Sequence, residues 1–210
     1  VAPDYEGLGT AGIHPYLNLK SAAQSAKYAM DAYKSHYAQN VNGAWMSVGQ
    51  SQGGHASLGT AEFMNSDRAY KGAVAGAPAS SLGYIIETVA PIAIQKVLAA
   101  EMAGAMPQGS AVEIYAELLA YAAYTTVGIK AYEPRFHYQE LFGTRSQPIA
   151  EYAEGTTGEN GLCLTDLHNK FADDIRLYLS QNLGKNVLVY PGLAKDFQKN
   201  DTVKKFLALN

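Results

Sequence analysis

Residues 43–59 read GAWMSVGQSQGGHASLG, an apolar run that breaks at a serine flanked by glycines and resumes at once with the small residues of a helix. Whether Ser51 is an ordinary turn residue or a held nucleophile decides the fold. AWMSV fits a short buried strand, and HASLGTAEFM, residues 55–64, suits a helix packed tightly against a sheet. Between them, Gly49-Gln50-Ser51-Gln52-Gly53 matches G-x-S-x-G, the pattern of a sharp strand-to-helix turn that exposes one hydroxyl. A serine hydroxyl is a poor nucleophile until a base takes its proton and fixed donors receive the developing oxyanion. Glycines two before and two after the serine let strand and helix approach closely, which accounts for Gly49 and Gly53, while Gly54 gives further clearance. The backbone N–H of Gln52, at the helix start, points where negative charge develops and gains from the helix dipole. Ser51 is therefore the candidate nucleophile and Gln52 the candidate backbone oxyanion donor.

Working outward, residues 17–38 place Ala22, Ala26, Ala29, Tyr33 and Tyr37 at helical spacing, with Lys20, Lys27, Asp31 and Lys34 on other faces. On the far side of the turn, KGAVAGAP, residues 71–78, reads as a second buried strand ended by Pro78. Val1 and Ala2 read as the last residues of an earlier strand. Strand, helix, strand, helix, strand implies two crossovers and a parallel sheet covered on both faces. Three strands would not complete it, so both ends of the sequence are expected to begin or stop within a larger α/β domain.

After Ser80 the texture changes. YIIETVAPIAIQKVLAAEMAGAMP and SAVEIYAELLAYAAYTTVGIKAYEP are long Ala- and Tyr-rich helical stretches without strand signals. Residues 134–161 hold Pro134, Gly143, Pro148, Gly155, Gly158 and Gly161 and predict short helices and loops. Residues 165–183 return to helical spacing, with Leu167, Phe171, Ile175 and Leu179 on one side. The predicted organisation is a core over residues 1–80, a helical cap over 81–185 and a return toward the core over 186–210.

Composition narrows the functions. The 210 residues are 48% hydrophobic and 17% charged, enough to bury a full core. A net charge of -3 and scattered Lys and Arg leave no basic face for a phosphate backbone, which argues against a nucleic-acid partner. Cys163 is the single cysteine, so neither an internal disulfide nor a clustered thiolate metal site can form. The longest apolar stretch, Leu118 to Ile129, is about half of the roughly 20 residues that span a bilayer. No basic and apolar targeting segment opens the sequence.

A second glycine motif competes. Gly7 to Gly12, GLGTAG, matches G-x-G-x-x-G, but a dinucleotide site needs the turn to open directly into a helix and an acid about 20 residues on. His14-Pro15 intervenes, Asp4 and Glu6 would sit beside the phosphates, and no cofactor is expected. Among histidines, His55 lies one helical turn past Ser51 and would have to fold back over the turn to reach its Oγ, so it reads as a packing residue. Where a G-x-S-x-G turn carries a catalytic serine, the base comes last in the order Ser, acid, His. His14, His36, His137 and His168 read as isolated surface or capping residues.

Taken together, APDYEGLG, the GQSQGGHA turn, the VAGAP strand and GLCL at 161–164 resemble the secretory lipase family of α/β-hydrolases. The resemblance implies an α/β-hydrolase fold with a helical cap inserted after the strand that follows the nucleophile. It implies ester hydrolysis, commonly of acylglycerols, by a Ser-Asp-His triad without a cofactor, in a secreted or periplasmic protein that touches a lipid interface transiently. Ser51 matches the nucleophile and Gln52 the oxyanion amide. The family's acid and histidine follow the cap, and no histidine follows His168, so both are expected outside residues 1–210, as are the second oxyanion donor and a disulfide partner for Cys163. A non-catalytic lipid-binding or scaffold protein on the same fold is the alternative from another class.

Overall fold

The computed structural model describes residues 1–41 and 43–210. At its centre is a β-α-β unit: β1 (Trp45–Gln50), α2 (Gln52–Phe63) and β2 (Tyr70–Gly76), preceded by α1 (Leu19–His36). The two strands pair in parallel, with Ser47 opposite Ala73 and Gln50 opposite Gly76. The register slips by one residue between Trp45 and Ser47, and Gly72, at φ +135°, supplies the backbone freedom that the extra residue of β2 requires. β1 runs two residues past the AWMSV run, because pairing with Ala75 and Gly76 carries Gly49 and Gln50 into the ladder.

Burial alternates along β1. Trp45 is buried, donating its indole N–H to Asp67 at 3.1 Å, and Ser47 Oγ reaches the Ser57 carbonyl of α2 at 3.3 Å. The other face carries Met46, Val48 and Val74, all exposed. Among the described residues, helices cover one face of this strand pair, and a larger sheet covered on both faces is not shown. Val1 and Ala2 carry no regular structure and Val1 is exposed, so the earlier strand predicted there is not formed. The described residues thus make a mixed α/β structure, mostly helical, with two parallel strands.

The remaining helices are α3 (Leu82–Tyr84), a π-helical segment (Ile85–Val89), α4 (Ala90–Met102), α5 (Ser110–Tyr132), α6 (Gln147–Ala150), α7 (Leu164–Gln181) and α8 (Asp201–Leu209). α3, the π segment and α4 run on as one helix, and the Ala90 N–H bonds the Ile85 carbonyl five residues back. This helix, Leu82–Met102, runs 21 residues, is mostly half-buried or exposed, and is long and apolar enough by length and composition to cross a membrane. Glu87 and Lys96 interrupt its apolar run and so hide its length in the sequence.

α5 organises the core. Its Ala116, Leu119, Ala123 and Val127 are buried against Leu167, Phe171 and Ile175 of α7, the face predicted for that helix. The Glu101 carboxylate of α4 accepts the N–H groups of Gly109 and Ala111, each at 2.8 Å, and so satisfies and charges the start of α5. Leu118 to Ile129 is thus the middle of a core helix. Residues 134–161 form the predicted short helices and loops. In α1, Ala23 is the fully buried residue, Ala22, Ala26, Ala29 and Tyr33 are half-buried, and Tyr37 is exposed just past its end. The chain end returns to α1, where the Asn210 side chain accepts the Leu19 N–H at 2.7 Å.

Candidate active site

Ser51 stands alone between β1 and α2, with φ 55° and ψ -118°. This region is essentially reserved for glycine, and holding another residue there costs on the order of 1–3 kcal/mol. A serine before a helix ordinarily sits in extended backbone and caps the first turn with its hydroxyl. Ser51 does neither, since its side chain makes no capping hydrogen bond and is exposed. The hydroxyl is thus left out of the local backbone pairing.

The strain is held by bonds on both sides of the residue. Ser51 N–H donates to the Gly76 carbonyl of β2 at 3.0 Å, and the Ser51 carbonyl accepts from His55 N–H at 3.0 Å and Ala79 N–H at 3.3 Å. Because that first helical bond begins at His55, the N–H groups of Gln52, Gly53 and Gly54 have no carbonyl within the helix to meet. The amide beside the Ser51 hydroxyl is therefore the start of a helix dipole, suited to negative charge.

The glycines divide their work unevenly. A Cβ on Gly49 would lie 2.1 Å from the Gly53 carbonyl oxygen, and one on Gly54 would lie 2.8 Å from the Gly76 carbonyl oxygen. Both positions enforce close approach. Gly53 differs from the sequence reading: a Cβ there would meet nothing within 4 Å. Its backbone is what Gly49 approaches, and its missing side chain makes no room.

Ser51 and Gln52 open onto a cavity of about 1510 Å³. Its walls come from the helices beyond residue 80, including Ile86, Pro91 and Ile94 on one side and Leu118 and Tyr124 on another. Leu162, Cys163 and Leu164 of the GLCL segment also line it, and Cys163 is free and exposed. A large hollow lined mainly by apolar side chains, with Ser51 in its wall, accommodates a molecule with a sizeable apolar part.

The histidines separate into distinct environments. His55 is 1% exposed and neither ring nitrogen makes a hydrogen bond. Burial lowers its pKa, and the nearby Asn210 backbone partly opposes the shift. It packs, as expected, and is not paired with Ser51. His168 Nε2 lies 3.2 Å from the Glu113 carbonyl, and His36 stacks edge-on against Tyr37 in the last turn of α1. His137 is exposed ahead of a short 3-10 turn.

His14 overturns its sequence reading as an isolated surface or capping residue. It is 5% exposed, its Nδ1 lies 2.7 Å from the Glu6 carbonyl, and its Nε2 lies 3.0 Å from the Gln52 side-chain nitrogen. Tyr5 stacks on the ring and Tyr16 meets it edge-on at 4.3 Å. Burial lowers its pKa, against the opposing pull of the Glu6 carbonyl and carboxylate. The GLGTAG glycines belong to this turn. A Cβ on Gly7, at φ +76°, would lie 2.5 Å from the His14 backbone nitrogen, and residues 13–18 separate Gly12 from α1.

Among the described residues no hydrogen bond joins Ser51 Oγ to a histidine, and no group of three or more His, Cys, Asp or Glu converges as metal ligands would. Comparison of the chain with protein-family models, curated proteins and solved structures finds no match.

Proposed function

We propose that the chain carries the nucleophile of a serine-dependent carboxylic ester hydrolase of the α/β-hydrolase type, a lipase or esterase acting on acylglycerols or similar lipid esters. One observation carries this reading: Ser51 is held at φ 55° between a parallel strand and a helix, its hydroxyl exposed and unused for capping. The resemblance of DYEG and GQSQGGHA to the secretory lipases and the apolar hollow beside the serine support it. Residues 81–185 serve as the cap, and 186–210 return toward the core.

In the proposed reaction Ser51 Oγ attacks the ester carbonyl carbon and its proton passes through a histidine base to the departing alcohol. The tetrahedral oxyanion is received by the Gln52 N–H. Water then attacks the acyl-enzyme, releasing the carboxylic acid and restoring the serine hydroxyl. The histidine and its acid partner complete the proposed triad, and no cofactor takes part. The proposed setting is secreted or periplasmic, with transient contact at a lipid interface.

Treatment of the intact protein with a fluorophosphonate followed by mass spectrometry tests the reading. The expected result is one phosphonyl adduct, mapped to Ser51 and lost in Ser51→Ala. Protein that stays unlabelled while retaining bound lipid supports the alternative, a non-catalytic lipid carrier, which the apolar hollow also fits.

A further inference from the structure

The hydrogen bond between His14 and Gln52 joins two segments 38 residues apart and reaches the residue whose amide neighbours the Ser51 hydroxyl. Its proton arrangement follows from its partners. The Glu6 carbonyl can only accept, so His14 Nδ1 must carry the hydrogen. That leaves Nε2 with its lone pair, which the Gln52 side-chain amide nitrogen meets as donor. Each polar atom in the row from Glu6 to Gln52 thus has one role.

The loop that presents His14 is itself fixed. Gly7 presses against the His14 backbone, and the Glu6 carboxylate accepts from Ser21 Oγ of α1 at 2.7 Å. Tyr16 packs on Tyr124 of α5 at 4.7 Å, and its carbonyl lies where a Cβ on Gly128 would sit 2.0 Å away. The imidazole is therefore anchored to α1 and α5, not to the nucleophile turn that it touches.

Resting on the ester-hydrolase reading, we infer that His14 is a positioning residue for the oxyanion-stabilising amide: in its Nδ1–H tautomer it holds the Gln52 side chain and so fixes the first residue of α2 against Ser51. α2 opens with Gln-Gly-Gly, and the two glycines give its first turn little side-chain anchorage of its own. Among Gln52, Gly53 and Gly54, Gln52 alone has a side chain, and that side chain meets His14. The tie matters in the transition state, when the amide must already point at the growing charge.

The test uses the intact protein, a p-nitrophenyl ester to read kcat and KM, and a fluorophosphonate to read the rate of Ser51 modification. Asparagine at 14 can keep the Glu6 contact through an amide nitrogen near the position of Nδ1 but cannot reach Gln52. Glutamine can bring its carbonyl oxygen near the position of Nε2 and accept from Gln52 again. Outright loss of an oxyanion donor lowers kcat about 10²–10³-fold, and loosening one costs less, about tenfold. His14→Asn and Gln52→Leu are each expected to lower kcat about tenfold with KM changed less than about twofold. The double variant should be no worse than either single one, and His14→Gln should recover to within about threefold of the parent.

Parent-like kcat in a folded His14→Asn protein overturns the inference, as does a double variant in which the two losses multiply. Where His14→Asn fails to fold, Gln52→Leu breaks the same bond from the other side, and parent-like kcat there refutes it equally. A parent protein that fluorophosphonate does not label removes the hydrolase reading and this inference together. A labelled parent with indifferent variants removes this inference alone.

Discussion

Gly49→Ala and Gly53→Ala change the two glycines of one motif and should move stability in opposite directions. A Cβ at Gly49 would lie 2.1 Å from the carbonyl oxygen and 2.2 Å from the carbonyl carbon of Gly53. Both atoms are backbone, so no rotamer change relieves the overlap, and strand and helix must part by roughly 1 Å to restore contact distance. That movement pulls against the Ser51–Gly76 and His55–Ser51 hydrogen bonds, each 3.0 Å long. Overpacking typically costs about 1–3 kcal/mol, and without a side chain to yield the upper end applies, about 3 kcal/mol. With a urea m-value of about 2 kcal/mol per M, the unfolding midpoint falls by about 1.5 M. Gly53 lies within α2 with open space where its Cβ would stand, so alanine there removes only the backbone entropy cost of glycine. That should add about 0.5 kcal/mol and raise the midpoint by about 0.25 M. Urea titrations followed by tryptophan fluorescence and circular dichroism measure both, with equal m-values as the condition for comparison. A Gly49→Ala protein as stable as the parent, or a Gly53→Ala protein equally damaged, would refute the proposed contact between strand and helix.

His55 and His14 are buried with lowered pKa values, so the unfolded chain binds protons more readily than the folded one below about pH 6.5, the ordinary histidine value. Stability is expected to be complete above that pH and to fall as pH drops below it, and His55→Leu should flatten the slope of the urea midpoint between pH 7.5 and 5. At pH 7 the same substitution exchanges a buried ring beside the Asn210 backbone for an aliphatic side chain and should change stability by less than about 1 kcal/mol in urea titration. Tyr190 is buried and donates to the Asp174 carboxylate at 2.7 Å, beside the Arg145 Nε–Asp174 bond at 2.6 Å, so Tyr190→Phe should cost about 1.5 kcal/mol by the same measurement. Phe171 has no exposure between α7 and α5, and Phe171→Ala should cost about 3–5 kcal/mol, read as a lowered thermal midpoint with parallel loss of ellipticity.

The β-α-β unit is legible in sequence because its signals are local: an apolar run, a glycine-flanked serine and a small-residue helix follow one another within residues 43–76. The helices at 110–132 and 164–181 are legible by the same token, since 3.6-residue spacing marks the face that packs. What is not legible depends on distance or on backbone detail. His14 reaches Gln52 across 38 residues, and nothing in HPYLN distinguishes a histidine aimed at a helix start from one on a surface. Gly49 and Gly53 look equivalent in the motif, but only three-dimensional approach shows that one of them needs the missing Cβ. Val1 and Ala2 have strand-compatible composition without a paired neighbour among the described residues, and composition alone cannot make a strand.

The π-helical segment Ile85–Val89 lengthens one turn of the helix above the Ser51 cavity by a single residue. Each residue wound into an ordinary α-helix turns the chain by roughly 100° about the axis, but the wider turn here takes up its extra residue within one revolution, so the side chains after it face as they would in a helix one residue shorter. Ile94 can therefore stay a wall of the hollow with or without the surplus residue. Tightening the segment to α winding while keeping all its residues would instead rotate Ile94 away, so the shape of the space above the serine rests on the wide turn persisting.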